Sequence, residues 1–190
     1  MLKTVTKGFA LAGLVLLAAP VLARADKKPT GEFTATASVN TPTGTRSMPF
    51  DVVVVSPRSL SEVQPLKKVL EDGGQQALVN AIRGSGQGQI KLGALVYPVD
   101  LVMAEKIDDG WRYFVVTARP IKYNESDEDG GASLDYPFAV FGFESTDFAS
   151  GDGFIYTKAA LSVDPDGHLQ IAQYDGEPGT LKDIRRVPGF

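Results

Sequence analysis

Beyond residue 32 most of this chain is written in a two-residue period broken at short intervals by turn chemistry, and that constrains its fold more than any other feature. From Phe33 to Val39 the residues Phe33, Ala35, Ala37 and Val39 alternate with Thr34, Thr36 and Ser38, the pattern of a strand with one buried and one wet face. Asn40 to Gly44 is turn-forming, and Phe50 to Val55 is a β-branched run closed by Ser56-Pro57. Runs of Val, Leu, Ile, Tyr and Trp follow at 90–97, 99–107 and 111–118, the last two joined by Asp108-Asp109-Gly110, a hairpin signal. Pro98 is expected to bend or break the first pair, because a central strand cannot spare its donor. Strand character returns at 138–144, 154–163 and 169–174, with Asp164-Pro165-Asp166-Gly167 closing a hairpin, and 184–187 adds a short final strand.

One segment departs from this period. Ser59-Leu60-Ser61-Glu62 has the form of a capping box, and Val63, Leu66, Val69 and Leu70 share a helical face. Gly73-Gly74 is expected to stop that helix, and Ala77, Leu78, Ala81 and Ile82 to form a second one capped at Gly84. The expectation is therefore a mainly β (α+β) fold: an antiparallel β-barrel or sandwich of about eight or nine strands, with a short helical pair inserted after the second strand.

Residues 1–25 have the form of a cleavable export signal. Lys3 and Lys7 precede an apolar run from Gly8 to Ala23, and Ala23-Arg24-Ala25 matches the small-x-small cleavage pattern. The run is shorter than a spanning helix and contains Pro20, so cleavage before Asp26 is expected rather than a membrane anchor. Residues 26–31 read as a flexible lead and 32–190 as a single β-rich domain. The leader takes three basic residues and no acid with it, leaving 16 basic against 23 acidic side chains, about −7. That balance disfavours binding to a phosphate backbone, so nucleic acid is not an expected partner. With no cysteine in the chain, an exported domain of this size must hold together by packing alone.

Catalytic constellations are scarce. His168 is the single histidine, there is no Gly-x-Ser-x-Gly elbow, and thiol chemistry and soft-metal ligation are excluded. Asp127 and Asp129, in the tract Glu125 to Gly131, are candidate calcium ligands, although their spacing does not match an EF-hand and a solvated acidic loop is the ordinary expectation. Gly84-Ser85-Gly86-Gln87-Gly88 leaves a helix and enters a strand, the reverse of a phosphate loop. No cofactor is expected. Trp111, Tyr113 and Tyr136 are candidates to line a ligand cleft, with Arg119 as a charged anchor, although aromatic residues on strands more often belong to a core.

The segments Gly88-Gln89-Ile90-Lys91-Leu92-Gly93, Val96-Tyr97-Pro98-Val99, Thr117-Ala118-Arg119-Pro120-Ile121, Asp135-Tyr136-Pro137-Phe138 and Gly151-Asp152-Gly153 resemble those of a group of exported bacterial proteins with no assigned activity. The resemblance spans roughly residues 60–186 and implies a periplasmic or secreted setting. Two functions stay open at this level. One is a non-catalytic binding module for a protein, a polymer or a small apolar ligand, not embedded in a membrane. The other is a hydrolase using spatially paired carboxylates, for example on a carbohydrate.

Overall fold

The computed structural model describes residues 29–41, 44–108, 110–121, 135–146, 151–165 and 168–189. The expected leader at 1–25, the start of the lead at 26–31, and Asp127 and Asp129 lie outside these residues. The alternating segment at residue 33 forms β1 (Gly31–Thr41), which pairs without interruption with β2 (Gly44–Val54), from Gly31↔Val54 to Thr41↔Gly44. A helix, α1 (Leu60–Ile82), follows. Eight further strands complete the order: β3 (Gly88–Leu92), β4 (Leu95–Val99), β5 (Leu101–Ile107), β6 (Gly110–Thr117), β7 (Phe138–Thr146), β8 (Gly151–Val163), β9 (Leu169–Tyr174) and β10 (Gly179–Arg186).

All ten strands join one antiparallel sheet in the order β4-β3-β2-β1-β10-β8-β7-β6-β5, with β9 added to the second half of β8. The two ends of that order, β4 and β5, are consecutive in the chain and separated by Asp100 alone. One bent run thus pairs with β3 on its first half and with β6 on its second, which curls the sheet into a nearly closed barrel rather than a sandwich. The bend is held from several sides. Asp100 is buried, its N–H donates to the Val116 carbonyl at 3.0 Å, and its carboxylate accepts from the backbone N–H groups of Gly84 and Ala118, each at 2.7 Å. A buried carboxylate with two such donors is satisfied, so it fixes the corner rather than weakening it.

The sheet buries residues on both faces. Inside the barrel, Phe33, Phe50, Tyr113, Phe141 and Phe143 pack as a ring cluster, with Tyr113 stacked on Phe143 at 4.8 Å and Phe50 on Phe141 at 5.3 Å between centroids. Each such ring contributes about 1.5–3 kcal/mol of transfer free energy. Outside, α1 lays Val63, Leu66, Leu70, Leu78, Val79 and Ile82 over Leu101 and Met103 of β5, Val116 of β6, Phe138 and Val140 of β7, and Ala159 and Leu161 of β8. The stretches of β5 to β7 under the helix, Leu101 to Met103, Val115 to Val116 and Phe138 to Phe141, are accordingly continuous apolar runs in sequence, whereas β1, wet on its outer face, alternates.

Four expectations are corrected. Among the described residues the strands number ten, where about eight or nine are expected. The expected helical pair is one helix: Gly74 takes φ 69 and ψ −166, a conformation open to glycine, and the chain kinks there and continues on the same wall instead of stopping. The run 90–97 is not one strand but the β3–β4 hairpin, in which Leu92 faces Leu95 across a turn that places Gly93 at φ 60. Pro98 lies inside β4, opposite Gln89, at an end of the sheet order where a missing donor is tolerated, and the break falls at Asp100. β5 pairs antiparallel with β6 and β8 with β9, as the hairpin signals at Asp108 to Gly110 and at Asp164 to Gly167 require, while Asp109, Asp166 and Gly167 themselves lie outside the described residues.

Candidate functional site

The four candidate cleft residues do not meet. Trp111 and Tyr113 point inward near the first end of β6: Tyr113 is buried in the ring cluster, and Trp111 packs against that cluster with the Lys106 ammonium 5.2 Å from its ring centre. Arg119 lies beyond the other end of β6, exposed, its guanidinium 4.9 Å from the centre of the Tyr97 ring. Tyr136 precedes β7 near that second end, since Thr117 pairs with Ala139. At about 3.3 Å per residue, the six steps from Trp111 to Thr117 separate the two groups by roughly 20 Å. Trp111 and Tyr113 therefore belong to the core reading, and Arg119 forms a cation–π pair at the opposite end. His168 serves its turn: its N–H donates to Asp164 Oδ1 at 2.7 Å and its Nδ1 lies 3.3 Å from Asp164 Oδ2. Among the described residues no group of three or more His, Asp and Glu side chains is placed to hold a metal ion.

A cavity of about 240 Å³ lies instead on the outer wall, lined by Arg112, Phe114, Gly142, Glu144, Asp152 and Phe154 of β6, β7 and β8. Alternation explains its composition. Residues 111, 113 and 115 face inward, so 112 and 114 face outward, and the same parity turns Gly142 and Glu144 out of β7 and Asp152 and Phe154 out of β8. Val116 and Val140 are buried in the cluster under α1, and the next outward positions, Phe114 and Phe154, are only partly buried at its margin. Gly142 is the floor: a β-carbon there would stand inside the Phe154 ring, so the missing side chain is what lets that ring lie down on the sheet. The aromatic surface continues from Phe154 to Tyr156, 5.4 Å between centroids, and from Tyr156 to the exposed Tyr174, 4.6 Å. Burial pushes the Tyr156 phenol above its ordinary pKa, and the neighbouring Tyr174 adds to the rise.

Charged side chains border this apolar floor in a row across the strands. Arg112 donates from Nε to Glu144 Oε1 at 2.8 Å, and its Nη1 reaches Glu105 Oε2 at 3.4 Å. Its hydrogen bond and charge contact with Glu144, followed by the contact with Glu105, raise the guanidinium pKa further above its usual value. Lys182 of β10 donates to Asp152 Oδ2 at 2.7 Å. Each cation thus occupies one oxygen of its carboxylate, while Glu144 Oε2 and Asp152 Oδ1 have no partner among the described residues. The residue pattern held one sign of this site: a glycine inside the apolar run Phe138 to Phe143 marks a close approach. Which side chains would surround it depends on the pairing of three strands.

Among the described residues no helix is long and apolar enough to cross a membrane. Family models, curated proteins and solved structures yield no match to this chain.

Proposed function

We propose that this chain is an exported, non-catalytic binding module whose recognition face is the outer wall of β6, β7 and β8. The observation that carries the reading is the cavity at Gly142, an apolar floor with a charged border at the margin of the wall that the helix covers. Enclosed ligands usually take pockets of roughly 300–1,000 Å³, so a space of about 240 Å³ suits one side chain or one ring of a larger partner. Packed rings occupy the barrel interior, which favours recognition on the wall over recognition inside it. The leader at residues 1–25 and the resemblance to exported bacterial proteins supply the setting.

The hydrolase reading would need one carboxyl that holds a proton in an apolar site beside a second that stays ionised. Glu144 and Asp152 do share the cavity, but both are substantially exposed and each is ion-paired to a base, so neither has the apolar surroundings that reading requires. The test is a titration of the isotope-labelled full chain, followed by amide shifts, with a neutral oligosaccharide, a medium-chain fatty acid, and basic, neutral and acidic peptides. The expected result is saturable movement of the Phe114, Gly142 and Phe154 amides by one class, with that compound recovered intact. No movement at these amides by any class, or cleavage of the oligosaccharide that disappears in Glu144→Gln, would overturn the reading.

A further inference from the structure

Resting on that reading, we infer that the cavity takes the side chain of a lysine or arginine presented by a basic peptide segment of a partner protein. Three properties of the site point to this chemistry. The floor formed by Phe114, Gly142 and Phe154 is apolar and narrow, which suits the methylene stem of a long basic side chain. The faces of Phe114 and Phe154 are also surfaces that attract a cation. At the border, Glu144 Oε2 and Asp152 Oδ1 remain available, because Arg112 and Lys182 engage only the other oxygen of each carboxylate. The register Phe143↔Gly153 brings these two acids to the same end of the cavity on adjacent strands. An ammonium or guanidinium arriving over the floor therefore meets two acceptors without displacing an existing ion pair.

The charge balance selects the same partner. At the cavity and its border three acids, Glu105, Glu144 and Asp152, meet two bases, Arg112 and Lys182. The whole chain carries a formal charge of −4, so its field draws basic segments toward the face and repels acidic ones. An anionic ligand would meet the two carboxylates first. A divalent cation would find two carboxylates already shared with bases and no third ligand among the described residues.

The test uses the labelled full chain and end-capped hexapeptides alternating alanine with lysine, glutamine or glutamate, with 1,5-diaminopentane as the free alkylammonium. The lysine peptide is expected to move the Phe114, Gly142 and Phe154 amides saturably, with affinity falling as salt is raised. The exposed double substitution Glu144→Gln with Asp152→Asn should weaken it roughly three- to tenfold, as expected for two solvent-accessible charge pairs. Equal binding by the glutamine peptide, scattered shifts over the acidic surface, or an unchanged affinity in the double variant would each overturn the inference. Binding of the free diamine as tight as that of the peptide would overturn the assignment to a peptide partner. If another compound class moves the same amides and the lysine peptide does not, this inference fails and the binding-face reading stands. If nothing moves them, both fail.

Discussion

Gln75 shows how much one amide can do at the edge of a strand. Strand β7 begins opposite Ala159, so the part of β8 beyond that residue has no β7 backbone beside it. The Gln75 side chain fills the gap: its Nε2 donates to the Leu161 carbonyl at 2.7 Å, and its Oε1 accepts from the Leu161 N–H at 2.9 Å. Gln75→Ala leaves both backbone groups partly buried without these partners, and a loss of about 1–3 kcal/mol in unfolding free energy is expected. Urea denaturation checks it: a lower midpoint at unchanged slope is the expected result, and a change below about 0.5 kcal/mol would place the groups in water instead. No residue pattern pointed to this role, because a glutamine on a helix flank reads as solvated until the strand beside it is known. The same limit hid Arg112, Glu144 and Asp152. Period two assigns each to a wet face, but only the register of β6, β7 and β8 makes them neighbours.

At the scale of elements, what was legible was what is local. The alternation at Phe33 to Val39, the Asp-Gly hairpins and the helix start at Ser59 are each specified by a few adjacent residues, and Glu62 does accept from the Ser59 N–H at 2.8 Å. The Gly73-Gly74 pair was local too, yet it was read as a stop because the wall that keeps Gln75 to Ile82 on course is built by residues far along the chain. Gly74 decides this by the sign of one substitution. If residues 73–75 were regular helix, Gly74→Ala would stabilise by about 1 kcal/mol through helix propensity. At φ 69 and ψ −166 a β-carbon costs about 1–3 kcal/mol, even though it would meet no atom within 4 Å. The expected outcome is therefore destabilisation, read from the urea midpoint. A stabilised variant would mean that α1 can straighten, which would carry either Val63 and Leu66 or Leu78 and Ile82 away from the barrel.

For the whole molecule, two-sided burial of half the barrel predicts unequal local stability. β7 has Ala139, Phe141 and Phe143 inside and Phe138 and Val140 under the helix, all 3% exposed or less. The β1–β2 hairpin buries one face only: beyond Phe50 its outer end passes through Ser38, Asn40, Thr45 and Arg46, all exposed or half-buried, with Val39 as the one buried side chain among the described residues there. Opening that tip exposes little apolar surface, whereas freeing β7 requires lifting α1 and breaking the ring cluster together. Native-state hydrogen exchange at increasing denaturant should therefore show the amides of β7 and of its β6 neighbours opening only with global unfolding. Those from Ser38 to Met48 should open at a free energy several-fold smaller. The closure at Asp100 sharpens this expectation, because β4 and β5 are one bent run tied to the helix end through Gly84 and to β6 through Ala118. If the barrel half under the helix is the cooperative unit, Asp100→Ala should lower the exchange stability of β5, β6 and β7 by the same amount. A loss confined to residues 99–101 would show instead that the corner is a local fastening and that the covered wall is held by packing alone.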